Sequence, residues 1–325
     1  MKFSEIMKLW SLVVSIKAIN QIKVAGTFVF DKYFKGKGKP VLGNTAKLKI
    51  KKGASIVLRA IAPGADRLVK DTNGTYELTI SLPRFGLSGQ ILAHEMNEFE
   101  SLEGEAKVEA VSQKIIEILT EHKEDYMTTI EYMSTGALFG KVIDGDGVVL
   151  FEFNTTAAPI EFKSKENIDV LDEIDEALAD ELGTEVPYEI LADAKFINRV
   201  AANAKTAELF KTGEAKWLDE DGKRVLVVHS KRYIPFRASY TDENGDKQPF
   251  IPEAQAVVIP LSQDVFKHIY GRADHVEAMK AAPKLFFAAK PEILEKGKGW
   301  GIETETKMIP YCVRPGALIK LKFSE

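Results

Sequence analysis

Apolar positions recur every three or four residues from Gly104 to about Met133: Val108, Val111, Ile115, Ile118, Leu119, Tyr126, Ile130 and Met133. That spacing draws one face of a helix. Glu105, Lys107, Glu109, Lys114, Glu117, Glu121 and Lys123 fall on the opposite face, predicted to be solvated. No Gly or Pro interrupts the pattern between Glu105 and Thr135, and Gly136 predicts its stop. A helix of about thirty residues is a rod of roughly 45 Å. The mean helix of globular proteins has only about a dozen residues.

The flanking segments change period. Lys47-Leu48-Lys49-Ile50-Lys51 and Tyr76-Glu77-Leu78-Thr79-Ile80 alternate strictly, and Ser55–Ile61 reads as a strand between them. Turns are predicted at Pro63-Gly64-Ala65-Asp66 and Asp71-Thr72-Asn73-Gly74. A hairpin of about forty residues with so few apolar side chains cannot build a core alone. It must lie along something else, and a neighbouring subunit would serve. Leu82–Gly86 leads toward the helix, with a short helical lead-in over Gln90–Phe99. Before the hairpin, Ile6, Leu9, Trp10 and Val13 share a helical face and predict an amphipathic arm. Lys35-Gly36-Lys37-Gly38-Lys39-Pro40 reads as a solvated loop and lacks the phosphate-loop pattern.

After the long helix, Phe139–Ile143 and Val148–Phe153 predict a hairpin around Asp144-Gly145-Asp146-Gly147. Asn167–Leu182 is an acidic helix with Ile168, Leu171, Ile174, Leu178 and Leu182 toward the core. Tyr188–Ala192 is a strand, followed by a helix from near Asp193 through Phe210. Val225–Val228 is a buried strand. Arg232–Tyr240 and Pro249–Ile259 read as two arms of a hairpin, and Phe266–His275 as a mixed loop. Gly301–Tyr311 and Ala317–Phe323 read as closing strands that return to a sheet. The pattern is that of an α+β protein.

Composition is ordinary for a globular chain of 325 residues, 45% hydrophobic and 28% charged. A net charge of −4 and a pI near 5.9 argue against a dedicated nucleic-acid binder, though not against weak contact with DNA. The apolar stretch Leu9–Ile16 lacks a basic lead and a cleavage pattern, so no signal peptide is expected. No run approaches the ~20 apolar residues of a membrane helix. A single cysteine, Cys312, rules out an intrachain disulfide, and its apolar setting predicts a buried thiol.

Candidate chemistry is sparse. His94 has no His or Cys partner at i+3 or i+4 and reads as a surface residue. The Asp144 loop has Thr155 where a calcium loop needs Glu. Asp242, Asn244, Asp246 and Glu253 follow the calcium template better, but Lys247 stands where Gly is needed and Pro249 and Pro252 break the exit. His268 and His275 are the remaining candidates for proton transfer, with no nucleophile motif nearby. No catalytic, cofactor-binding or metal-ligating residue is therefore assigned, and no cofactor is expected.

Several segments in fixed order carry a likeness to a known family. Leu82-Pro83-Arg84 enters the long helix and Tyr132-Met133-Ser134-Thr135-Gly136 leaves it. Tyr188–Asp193 is followed by Phe196. Gly222–Pro260 contains Tyr233, the Glu243-Asn244-Gly245 turn and Phe250-Ile251-Pro252, and Phe266–Gly271 and the final strand pair follow. From about Phe28 to the C-terminus the chain resembles the phage major capsid protein E family, lambda-type shell proteins with the Hong Kong 97-type capsid fold. The resemblance implies an N-terminal arm (1–39) and an extended β-hairpin loop (40–90). It implies a peripheral domain (91–186 and 271–325) with a spine helix (104–133), and an apical domain (187–270). It also implies a structural role rather than an enzymatic one. Copies of the chain would form pentamers and hexamers of an icosahedral head around packaged double-stranded DNA. The partners implied are the chain itself, portal, scaffold and decoration proteins, and DNA held by weak non-specific contact. The location implied is the virion, after assembly in the host bacterial cytoplasm. The alternatives are a nanocompartment shell enclosing protein cargo, and a soluble enzyme using His268 and His275.

Overall fold

The computed structural model describes residues 3–24, 26–51, 75–153, 159–162, 167–220, 222–242, 244–261 and 265–323. The predicted strand at Ser55–Ile61, the turns at Pro63–Asp66 and Asp71–Gly74, Thr155 and Glu243 lie outside the described residues.

In chain order the elements begin with α1 (Phe3–Leu9), α2 (Leu12–Gln21), a π-helical turn (Phe30–Phe34), β1 (Gly38–Val41), β2 (Thr45–Lys51), β3 (Thr75–Ser81) and β4 (Arg84–Leu92). Next come α3 (Ala93–Glu100), α4 (Gly104–Leu138), β5 (Lys141–Ile143), β6 (Val149–Glu152), β7 (Ile160–Glu161) and α5 (Asn167–Leu182). Then follow β8 (Tyr188–Ala192), α6 (Ala194–Ala202), α7 (Ala204–Thr212), β9 (Ala215–Glu220), β10 (Lys223–Val228) and β11 (Lys231–Pro235). After these come β12 (Ser239–Thr241), β13 (Lys247–Pro249), β14 (Gln255–Pro260), β15 (Phe266–Gly271), β16 (Phe286–Ala288), β17 (Glu292–Ile293), β18 (Gly299–Cys312) and β19 (Ile319–Lys322). The chain divides into two compact units, one of residues 1–46, 79–131 and 268–310, the other of residues 47–78, 132–267 and 311–325.

The long helix is present and longer than predicted. Gly136 does not end it. The helix runs to Leu138, and Gly140 at φ 84° supplies the left-handed residue that stops it. Gly136 answers a different need. A Cβ there would sit 2.5 Å from the Lys141 carbonyl oxygen, so only Gly lets the returning strand β5 approach.

In the first unit, β18 is the backbone of a sheet ordered β1-β15-β18-β16, with β4 and β17 also paired to β18. Leu82–Gly86 therefore does not lead straight to a helix. Arg84–Leu92 runs antiparallel to β18 in continuous register from Arg84↔Lys307 to Leu92↔Gly299. Phe85, Leu87 and Ile91 alternate with polar and small residues, a strand signal hidden by Gly86 and Gly89. The Gly-Lys loop is also partly ordered, because Gly38–Val41 runs parallel to His268–Gly271. Phe266–Gly271 is accordingly a strand rather than a loop. The predicted arm helix is broken at Ser11, whose side chain accepts from the Val14 N–H and caps a new helix. The break splits the predicted face, so that Ile6 and Trp10 are buried while Leu9 and Val13 are exposed.

The second unit is built on a seven-stranded sheet ordered β7-β19-β14-β8-β11-β10-β9. α5 and α6 cover it through Val170, Leu171, Ile174, Leu178, Phe196, Ile197 and Val200. Ile168, predicted inward, is 40% exposed, and Val170 takes that place. The expected hairpin of Arg232–Tyr240 with Pro249–Ile259 exists only at its tip, β12 with β13. Further back β8 inserts between β11 and β14, parallel to the first and antiparallel to the second. β8 is buried on both faces, Glu189 included, which fits its otherwise apolar run. The helix predicted through Phe210 is two helices, because Asn203 leaves the helical region and caps α7. β9, which follows the left-handed Gly213 that ends α7, pairs with β10 along six residues. The closing segments β18 and β19 do not join one sheet, since β19 pairs with β14 and β7.

Candidate functional site

In the first unit the buried Lys and Glu side chains lie on α4 (Lys107, Lys123, Glu131) and on β18 (Glu305, Lys307). Lys123 and Glu131 lie eight residues apart on α4, a little over two turns along and about 80° around the helix. The apolar periodicity puts Lys123 and Lys107 on the solvated face, yet both are buried. The amphipathic pattern allows one covered side of α4, and the N-terminal segment covers another.

Lys123 Nζ donates to the carbonyl oxygens of Ile19, Asn20 and Ile22 at 2.8, 3.2 and 2.7 Å. These carbonyls belong to the C-terminal end of α2, where helix dipoles leave partial negative charge. Lys123 also sits 5.1 Å above the Phe286 ring. Burial, with Lys35 nearby, holds its ammonium below the usual lysine range. Glu131 does the converse. Its carboxylate accepts the N–H groups of Phe28, Val29 and Phe30 at 2.9, 2.7 and 2.9 Å. Those are the free donors at the start of the π-helical turn. Burial raises the Glu131 pKa, and the three N–H bonds only partly offset it. A cation thus takes a helix C-terminus and an anion takes a helical N-terminus, and the arm is held at both ends.

A second network lies on the same helix. His122 Nδ1 and the Tyr126 hydroxyl both lie 2.8 Å from Thr304 Oγ1 on β18. Burial lowers the His122 pKa and pushes Tyr126 up to about 12. These contacts tie α4 to β18 through Thr304.

The histidine candidates are also occupied. His268 is buried, and its Nδ1 lies 3.1 Å from the Phe34 carbonyl, which fixes the neutral tautomer with the proton on Nδ1. A Cβ at Gly38 would fall 2.3 Å from its Nε2, so the backbone of β1 seals the other edge. His275 accepts from the Glu277 N–H and lies 3.8 Å from Glu303. The two rings serve separate structural contacts. His94 is exposed. Cys312 is fully buried and burial pushes its thiol pKa well up, which suppresses the reactive thiolate.

The acidic turns hold themselves. Asp144 accepts the Val148 N–H. Asp242 accepts the N–H groups of Asn244 and Asp246 and the Gln248 amide, which hold its carboxyl below the usual range. Glu253 pairs with Lys195 instead of turning to Asp242. Among the described residues no three His, Cys, Asp or Glu side chains are placed to hold a metal ion. Sequence pattern singles out neither Lys123 nor Glu131. The available signal is a charged residue inside an otherwise apolar stretch, Ile130-Glu131-Tyr132-Met133.

Comparison with known proteins gives the context for these attachments. The profile described as phage major capsid protein E matches residues 11–323. The chain belongs to that family. This major capsid protein is a structural component of phage shells, located in the virion capsid. Its fold is the Hong Kong 97-type capsid fold. It is similar to the solved structure of a prophage protein of Escherichia coli CFT073, described as a capsid protein, with 13% identity and a TM-score of 0.55. That match covers 94% of this chain and 97% of the other. A phage-related protein from Bordetella bronchiseptica RB50 matches with 12% identity and a TM-score of 0.52, covering 95% and 94% of the two chains. At such identities the likeness carries the fold alone. No curated protein matches the capsid protein's sequence.

Proposed function

We propose that copies of this capsid protein assemble in the host bacterial cytoplasm into pentamers and hexamers, which close an icosahedral head around packaged double-stranded DNA. The observation that carries this reading is the family match over nearly the whole chain. Portal, scaffold and decoration proteins are the further partners, and DNA is held by weak non-specific contact. A net charge of −4 suits that containment, because a strongly basic wall would bind DNA phosphates too firmly.

The parts divide the work. Residues 1–39 act as an arm and residues 40–90 as an extended hairpin reaching over a neighbour. Residues 91–186 and 271–325 form a peripheral domain around the spine helix, and residues 187–270 an apical domain near the five- and six-fold axes. Supporting the hairpin's role, Lys47 and Lys49 of β2 keep their charges in solvent. Ala46, Leu48 and Ile50 form a thin buried side.

The test is negative-stain microscopy with size-exclusion chromatography of the purified chain, expressed alone and with neighbouring genes. Closed shells, tubes or isolated rings are expected. A monomer or dimer in both preparations would overturn the reading.

A further inference from the structure

Three of the most exposed large apolar side chains surround one small buried cluster. Val276, Val13 and Met279 are 74, 73 and 71% exposed. Leu12 and Ile16 of α2 pack on Ala278, Phe287 and Ala289, so α2 and the 3-10 turn Val276–Lys280 share that cluster. Val13 stands on α2 between Leu12 and Ile16. Val276 and Met279 are three residues apart on a 3-10 turn and share its outer side. Three such side chains expose on the order of 400 Å², in the range of the largest apolar patch on a typical monomer, which is often functional.

The patch is edged by positive charge. Lys17 follows Val13 by one helical turn, and Lys280 adjoins Met279. Both are exposed and have no ion-pair partner among the described residues. A basic edge disfavours meeting another copy of itself. The same chain carries the opposite surface on its second unit. α5 has seven acidic residues and no basic one. Asp169, Asp172, Glu176 and Asp180 are exposed at spacings of three and four, beside the half-exposed Ile168.

We propose that the Val13–Val276–Met279 patch of one copy docks on the acidic face of α5 in a neighbouring copy. The contact is head-to-tail, joining two different surfaces of identical chains, and such contacts propagate into rings when the rotation closes. Val13, Val276 and Met279 pack on Ile168 and the methylene stems beside it, and Lys17 and Lys280 opposite Asp172 and Glu176 offset the desolvation of those carboxylates and select the partner and the register. Its area is below the ~800 Å² that each partner of a stable pair buries, so it works as one of several contacts in an assembly. The inference rests on self-assembly as proposed above and names one surface that effects it.

The experiment uses charge exchange in the full-length chain. Lys17→Glu with Lys280→Glu is one variant, Asp172→Lys with Glu176→Lys a second, and all four changes together a third. Particle yield is read by sedimentation and microscopy, and circular dichroism checks that each chain folds. Each double variant is expected to lower yield about tenfold or more, and the fourfold variant to restore it. Met279→Asp should lower yield without rescue by the α5 changes. Wild-type yield in both double variants, or failure of the fourfold variant to recover, overturns this contact. Failure of the wild-type chain to form any particle overturns the proposed shell assembly instead.

Discussion

Glu131 carries an unusual share of the first unit's polar accounting. Three backbone N–H groups converge on its two oxygens. Glu131→Ala would leave all three without an acceptor in a buried place. Removing one partner of a buried charged network costs about 3–5 kcal/mol, far more than a net hydrogen bond contributes. Urea unfolding of the unassembled chain is expected to show a loss of that order. Glu131→Gln, which keeps one good acceptor oxygen, should lose less. Equal stability of wild type and the Ala variant would show that the arm does not depend on this carboxylate.

His122 and His268 set a pH dependence at the same scale. Burial lowers both below the ordinary 6.5. Between the lowered values and 6.5 the unfolded chain binds more protons than the folded one, so stability rises with pH across that window. The contribution is complete above 6.5 and is lost as the pH falls below it. The unfolding midpoint should therefore drop on acidification below about pH 6.5. The double variant His122→Asn, His268→Asn should flatten that drop. An unchanged slope would assign the acid sensitivity elsewhere.

At the scale of elements, terminators and breaks decide the layout. Gly136 and Gly140 look alike in sequence but do different work. Gly140→Ala imposes a left-handed conformation on a side chain and costs about 1–2 kcal/mol. Gly136→Ala instead drives a Cβ into the Lys141 carbonyl, so β5 must move. A larger fall in thermal midpoint for Gly136→Ala than for Gly140→Ala is the expected result. Asn203→Ala tests the break between α6 and α7. Losing the cap on the Lys205 N–H costs about 1 kcal/mol.

For the whole molecule, the arm and the long helix stabilise each other through Lys123. A chain beginning at residue 25 would leave this buried ammonium without its three carbonyl partners. Such a truncation should destabilise the first unit by several kcal/mol, and Lys123→Met should recover part of the loss in the truncated chain only. The same substitution in the full chain exposes nothing new but abandons three carbonyls, and should destabilise. If Lys123→Met acts alike in both backgrounds, the arm is held by its apolar contacts alone.

Local pattern by itself determined α4, α5, β8 and β10, because each is long or carries a dense apolar run, as Ile190–Ala192 and Val225–Val228 do, and its period needs no partner to be read. The order of such segments also carried the resemblance to the capsid family. It did not determine β4, β9 or β1, whose pairing depends on strands distant in sequence and whose Gly and Lys residues mask alternation. Nor did it place β8 between β11 and β14, since strand order is a choice among non-local pairings that leave similar local patterns. Only the tertiary structure decided that Lys123 and Glu131 are buried. A charged residue on a helix reads as solvated until another segment covers it, and here the covering segment brings carbonyls to the cation and N–H groups to the anion.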